Sequence, residues 1–316
     1  MRVSIAMATY NGARFIGAQL ASFAAQTLMP DELVITDDGS SDDTLAIVEA
    51  FAATVPFAVE VHRNPERLGY ARNFEKALSL CSGDIIFLSD QDDVWNANKL
   101  AVVERRFAEE PAAQVIINDA MLADCDLRSI GHTQRQNIAN AADADRMFSH
   151  GCCSAHRNSW RSFALPLPLG MAHDYWINGL AIELGCGRQI KDVLQYYRRH
   201  GETSTQWVLS DPAGVSVMRA LRISGLRDGR PGWRKRIEFL HAVLLRLAEC
   251  QALAAAHSWD RKVPDLKREV RDLEVRIRVC SLPRGRRSFK VLRQWAAGGY
   301  DRAAGWKSAL KDLIRP

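Results

Sequence analysis

Short apolar runs alternate with helix-period segments along this chain and predict an α/β fold. The form expected is a mostly parallel sheet flanked by helices, followed by a helical, basic C-terminal extension. Three observations carry this. The runs beginning at Val3, Leu33 and Ile85 are short and nearly all apolar, as strands buried on both faces are. Amphipathic stretches of helical period lie between them. The charge changes sign along the chain: residues 207–316 hold 24 Lys and Arg against 11 Asp and Glu, a balance of +13, whereas residues 1–206 hold 18 against 26, a balance of −8. The 316 residues are 47% hydrophobic, enough for one large domain with an appendage. That places a boundary between residues 206 and 207.

Val3, Ile5 and Met7 alternate as a first strand, and residues 13–25 read as a helix. Leu33-Val34-Ile35 is a buried strand. Asp42 to Ala53 is a helix, with Ser40 or Ser41 as its N-cap. Phe57, Val59 and Val61 alternate as a third strand, residues 70–80 are helical, Ile85 to Leu88 form a fourth strand, and 96–109 is again a helix. Val115-Ile116-Ile117 is a strand, and Asp124 to Ala144 is polar and loop-like. Pro166 and Pro168 punctuate a turn before a helix near 174–184, and Val193 to Tyr197 reads as a further strand. After Trp207, Ile237, Leu240, Val243, Leu244 and Leu247 recur at helix spacing, and a second helix runs from Pro264 to Val279.

No apolar run is long enough to span a bilayer, and the N-terminal segment reads as a strand rather than a leader. Seven cysteines at irregular spacing, with Cys152 and Cys153 adjacent, fit neither a zinc knuckle nor a CxxC pair. They predict free, buried thiols in a reducing cytoplasm.

The chemistry gathers at three strand ends: Ala8-Thr9-Tyr10-Asn11-Gly12, Thr36-Asp37-Asp38-Gly39-Ser40 and Ser89-Asp90-Gln91-Asp92-Asp93. In open parallel sheets, ligands bind at the carboxyl ends of strands. Three carboxylates within four residues repel one another unless a cation offsets them. Hard oxygen donors suit Mg²⁺ or Mn²⁺, held by one or two carboxylates together with substrate phosphates. Asp90 and Asp92 are the candidate ligands. Asp93 reads as a cap of the helix at 96–109. Asp37-Asp38-Gly39-Ser40 follows a parallel-type strand, so it is no hairpin. One of its carboxylates suits a base or a ribose, and Gly39 lets the backbone approach closely.

These segments resemble the family-2 glycosyltransferases, which have the GT-A fold. Further matches are Gln26-Thr27, the stretch from Asn64 to Phe74 (NPERLGYARNF), His173-Asp174-Tyr175-Trp176 and Tyr197-Arg198-Arg199-His200-Gly201. The combination DQDDVW, HDYW and YRRHG is most similar to the bacterial rhamnosyltransferase-like branch that decorates surface polysaccharides. The resemblance implies a set of roles. Thr9, Tyr10 and Asn11 line the nucleotide site, Asp38 bonds the base, and Arg72 and Asn73 lie in a segment closing over the nucleotide. Asp90 and Asp92 form the DxD motif, with Asp92 the direct metal contact. His200 sits near the metal or diphosphate, and Asp174 is the catalytic base. It also implies an inverting, metal-dependent transfer from a nucleotide-diphosphate sugar to a saccharide or lipid-linked saccharide. The donor expected from the branch is dTDP-rhamnose, with UDP-sugars close behind.

GxGxxG does not follow the first strand, and GxxxxGK[ST] is absent, which speaks against dinucleotide-dependent hydride transfer and P-loop chemistry. A catalytically silent protein of the same fold is the alternative, and Asp90, Asp92 and Asp174 weigh against it. No QxxRW follows Asp174, which argues against a processive synthase. The basic part lies outside the resemblance and carries five of the eight Trp: Trp207, Trp233, Trp259, Trp295 and Trp306. It has two compatible readings, a helical cap with solvated charges and a patch on the inner-membrane surface. No nucleic-acid-binding motif is found. The location expected is cytoplasmic, peripheral to that membrane.

Overall fold

The computed structural model describes residues 1–140, 151–200, 228–300 and 305–314. The chain divides into two compact units, with described residues 1–139 and 151–200 in the first and 228–300 and 305–314 in the second. The boundary read from the charge step lies outside the described residues.

The first unit is built on nine strands: β1 (Val3–Thr9), β2 (Glu32–Asp37), β3 (Ala58–Arg63), β4 (Ile85–Ser89), β5 (Val94–Trp95), β6 (Val115–Ala123), β7 (Ser129–Thr133), β8 (Ser154–Arg157) and β9 (Gly187–Arg198). They lie in the order β3-β2-β1-β4-β8-β6-β9-β5, with β7 paired to β6. β1 pairs in parallel with both β2 and β4, and β2 with β3. The interiors of β1, β2 and β4 are apolar because both faces are covered: Ile5, Leu33, Ile35, Ile85 and Phe87 are all fully buried. Each such side chain contributes about 1.5–3 kcal/mol by leaving water.

The helices of this unit are α1 (Ile16–Ala24), α2 (Thr44–Ala52), α3 (Tyr70–Leu80), α4 (Lys99–Glu109), α5 (Gln134–Asn140), α6 (Asn158–Ala164) and α7 (His173–Leu184). The second unit is helical: α8 (Arg230–Glu249), α9 (Gln251–Ala256), α10 (Val263–Cys280), α11 (Arg284–Ala296) and α12 (Trp306–Ile314). Its apolar cluster joins Val279, Val291, Tyr300 and Ala309, beside a buried ion pair in which Arg276 Nε lies 2.8 Å from Asp312 Oδ2. No helix among the described residues is long and apolar enough to cross a membrane. The seven cysteines are free, and five of them are buried.

The sheet keeps the expected parallel set β3-β2-β1-β4, while β8 runs antiparallel to both its neighbours, β4 and β6. Three expectations are corrected. Residues 129–140 are not loop but β7 and α5. The chain reverses after β6 on a turn in which Asp124 Oδ1 accepts the Asp126 and Arg128 N–H groups. Neither Ser40 nor Ser41 caps α2, which starts after Asp43, because the Ser40 hydroxyl donates instead to Asp37 Oδ2 at 2.5 Å. Asp93 does not cap α4, which starts six residues later, at Lys99.

β8 places His156 in the middle of the sheet, 1% exposed and opposite Ile86 and Val115. Burial pushes its pKa from 6.5 down to about 4. The folded chain therefore keeps the ring neutral where the unfolded chain takes up a proton. Its contribution to stability is whole above pH 6.5 and is lost as pH falls towards 4, by ~3 kcal/mol at most. His156→Leu is expected to flatten that part of the pH dependence, read as unfolding free energies in urea across this range. An unchanged slope would assign the loss to other groups.

Candidate functional site

The polar ends of β1, β2 and β4 lie side by side because the three strands are parallel and in register, with Thr9 opposite Asp37 and Met7 opposite Ser89. Hydrogen bonds then stitch the loops together. Asp37 is fully buried. Its Oδ2 accepts the Thr9 hydroxyl at 2.8 Å, and its Oδ1 accepts the Gly39 and Ser40 N–H groups at 3.1 and 2.8 Å. Gly39 holds φ +86°, which suits glycine. Asn11 joins the first loop to the second: its N–H reaches Ser40 Oγ at 2.9 Å, and its Oδ1 accepts the Ser41 N–H at 2.9 Å.

Gln91 joins the first loop to the third. Its Oε1 accepts the Tyr10 N–H and its Nε2 donates to the Tyr10 carbonyl, both at 3.0 Å. Gly12 makes room for it, since a Cβ there would lie 2.3 Å from Gln91 Oε1. The Tyr10 ring is 37% exposed, and the Arg67 guanidinium stacks 3.9 Å from its centroid.

Asp38 is buried and anchors the segment after β3. Its Oδ1 accepts the Leu68 N–H at 2.7 Å and the Asn64 amide at 3.0 Å, and its Oδ2 accepts the Gly69 N–H at 2.8 Å. Asn73, 2% exposed, donates to the Thr36 and Thr9 carbonyls at 2.9 and 3.3 Å and accepts from Asn64 at 2.8 Å. Its amide is thus committed within the scaffold. Arg72 pairs with Glu75 and donates to the Leu167 carbonyl at 3.2 Å, while Glu75 accepts the Leu167 N–H at 2.9 Å. These bonds fix the turn that leads into α7.

At the end of β4, β5 pairs with β9, Val94 opposite Tyr196 and Trp95 opposite Gln195. This pairing carries His200 to Asp92, where Nε2 and Oδ2 are 2.8 Å apart, and the His200 ring packs on Phe15 at 4.5 Å. Arg198 donates to the Asp92 carbonyl at 2.7 Å. Asp93 is fully buried and accepts the Arg198 N–H at 3.1 Å and the Gln195 amide at 2.9 Å. Lys99, also fully buried, donates to the Gln195 side chain and, at 2.8 Å, to the Cys152 carbonyl, with its ammonium 3.9 Å over the Trp95 ring.

The electrostatics follow from this crowding. Burial first, then the Asp92 charge, raises the Asp93 carboxyl to about 7. Burial, then Asp92 and Asp93, pushes Asp90 well above the usual carboxylate range, and Asp174 adds to the shift. Asp174, in the first turn of α7, therefore acts on the same cluster from a separate element. Its neighbour His173 is buried, stacked on Phe74 at 4.1 Å, with neither ring nitrogen hydrogen-bonded, and burial lowers its pKa.

Burial and mutual repulsion both raise the Asp90 and Asp93 carboxyls, and a cation would relieve that cost. Asp90, Asp93 and the Cys152 thiol each offer an atom within 4.8 Å of the others. Burial raises the Cys152 thiol well above its ordinary value, so it stays protonated and is a poor partner for a hard ion. Carboxylate oxygens are the donors that suit a hard divalent cation, and Asp92 Oδ2 lies 2.8 Å from the His200 ring at the same strand end. Gln91, Lys99, Gln195 and Arg198 carry no role in the sequence reading. Gln91 and Arg198 stand inside quoted motifs, whereas Lys99 and Gln195 have no local signal.

The sheet order and its flanking helices form a fold of the GT-A type. Residues 4–160 match the model of Glycosyl transferase family 2, and the chain belongs to that family through this domain. The dTDP-rhamnosyl transferase RfbG of Shigella flexneri is 29% identical over 148 residues, 46% of this chain and 48% of that protein. The UDP-Glc:alpha-D-GlcNAc-diphosphoundecaprenol beta-1,3-glucosyltransferase WfgD of Escherichia coli is 38% identical over 98 residues, 31% of this chain and 38% of that one. The crystal structure of S. aureus TarS 1-349 in complex with UDP-GlcNAc superposes with a TM-score of 0.54 at 16% identity, covering 99% of this chain and 89% of that chain. That likeness is one of fold. The chain spans from about half to about two thirds of the length of the first curated relatives it matches, 48%, 56% and 66%.

Lys99→Met would leave Asp93 without its buried counter-charge and the Gln195 and Cys152 oxygens without a donor. It is expected to destabilise the first unit by ~2–4 kcal/mol in chemical denaturation. The double variant Lys99→Met/Asp93→Asn should lose less than the sum of the singles. Strict additivity would show that the two groups do not act as a pair.

Proposed function

We propose that this chain transfers a sugar from a nucleoside-diphosphate donor to a hydroxyl of a saccharide or lipid-linked saccharide, with inversion and with a divalent metal. Residues 1–206 would be the transferase domain and 207–316 a helical basic region. The observation that carries the reading is the convergence at the end of β4: Asp90, Asp92 and His200 on one side and Asp174 on another, beside loops stitched by Gln91 and Asp37.

Thr9, Tyr10 and Asn11 line the nucleotide site, with the exposed Tyr10 ring as its stacking surface. Asp38 meets the base at the segment it anchors, and Arg72 and Asn73 fix that segment. Asp92, Asp90 and His200 hold Mg²⁺ or Mn²⁺. The ion, when bound, offsets the charge that develops on the departing diphosphate. Asp174 takes the proton of the acceptor hydroxyl as that oxygen attacks the anomeric carbon. Only one displacement is involved, so the cysteines have no covalent part. A dTDP- or UDP-linked donor is supported by what RfbG and WfgD are, and a lipid-linked acceptor of polysaccharide synthesis by WfgD. The enzyme would act in the cytoplasm, peripheral to the membrane that holds such acceptors.

Thermal-shift measurements with uridine, deoxythymidine and guanosine diphosphates, with and without Mn²⁺, test the donor side. One nucleotide should raise the melting temperature only with metal, and Asp92→Asn should abolish the shift. No shift from any nucleotide would favour a catalytically silent protein. Asp174→Asn is expected to keep that binding and to lower transfer by about a thousandfold or more. Unchanged turnover would remove Asp174 as the base.

A further inference from the structure

We propose that α11 is a membrane-surface helix that lies in the plane of an anionic bilayer through an exposed apolar stripe with a cationic border. The inner face of α11 is fixed by the second unit. Val291 is fully buried with Val279, Tyr300 and Ala309, and Arg287, 4% exposed, donates to the Cys280 and Leu282 carbonyls at 2.9 and 3.0 Å. The outer face is therefore set as well. Phe289, Leu292 and Trp295 stand 73%, 53% and 48% exposed. Positions 289, 292 and 296 follow the spacing that puts residues on one side of a helix, and Trp295 flanks them.

A solvated helix face carries polar groups, but this one carries a large aromatic ring, a leucine and an indole. Arg286, Lys290 and Arg293 are exposed beside the stripe, and α11 contains no acidic residue. In the same unit, α12 exposes Trp306 (60%) and Leu310 (49%), four residues apart.

This pattern selects its occupant. Apolar side chains bordered by cations suit acyl chains beneath anionic headgroups, with indole rings at the boundary. A second copy of the chain would set the same cations against one another. A nucleic acid would engage the cations but give Phe289 and Leu292 little to bury against.

The test is co-sedimentation of the full chain with vesicles of phosphatidylcholine containing about 30% phosphatidylglycerol, against vesicles of phosphatidylcholine alone. Binding is expected to the anionic vesicles, and about 0.5 M NaCl should weaken it. Phe289→Ser/Leu292→Ser should lower the apparent affinity by about tenfold or more with no change in melting temperature, since both side chains are exposed. Arg286→Glu/Arg293→Glu should do the same.

Failure of the parent chain to bind anionic vesicles, or binding that the Ser pair leaves unchanged, would overturn the proposal. So would a dimer in light scattering that the Ser pair converts to monomer, which would make the stripe a self-interface. Binding of single-stranded RNA with the Ser pair ineffective on vesicles would assign the face to nucleic acid. Because no sugar transfer is read, the outcome is independent of the transferase assignment.

Discussion

A buried carboxylate holds the centre of this molecule together. Asp93 is fully buried, accepts the Arg198 backbone N–H and the Gln195 amide, and feels the positive charge of Lys99, which donates to the same Gln195 side chain. Removing a charge from water costs several kcal/mol unless hydrogen bonds and an opposite charge offset the loss. That condition forces β9 to pass just where it does. Once β9 is fixed, Arg198 reaches the Asp92 carbonyl and His200 reaches the Asp92 carboxylate. The active end of β4 is thus shaped from underneath by residues that face no solvent.

The same economy runs through the other loops. Asp37 and Asp38 are adjacent carboxylates, yet each is committed to backbone N–H groups and a neighbouring side chain. Asp92 is paired instead with the His200 ring at 2.8 Å, and Asp174 accepts the Tyr175 N–H at 2.7 Å. The raised proton affinity of Asp90 records how unwelcome a further negative charge is there without a cation. A donor diphosphate would enter this region only in the company of a metal, which gives a physical reason for metal dependence in the proposed reaction.

The second unit follows a different logic. Its buried Arg276–Asp312 pair lies beside the Trp233 and Tyr300 rings, 4.3 and 5.1 Å from the guanidinium. The apolar side chains it does not bury, chiefly on α11, are too large and too close together to be scattered surface residues. A basic unit with an apolar outer stripe and a transferase unit with an acidic centre present opposite chemistries on one chain.

Much of this was legible in the sequence. Period-two and apolar runs located β1, β2, β3 and β4, the helix at residues 70–80 matched α3, and the long helices after residue 228 appeared as repeated apolar positions. Asp90, Asp92 and Asp174 stood out because strand ends and helix starts concentrate polar groups in recognisable local motifs. The antiparallel direction of β8 was not legible, because it depends on neighbours far along the chain. Asp93 read as a cap because capping is a local property. Its actual partners lie about a hundred residues away, on β9. The Asn73 amide is bound to carbonyls of β1 and β2, partners that no local pattern announces. The sequence by itself determined which segments bury both faces and where carboxylates gather, since periodicity and composition are carried by consecutive residues. Only the tertiary structure decided which of those carboxylates are buried and which groups they bind, because burial and hydrogen-bond partners are set by the register of strands that meet only after folding.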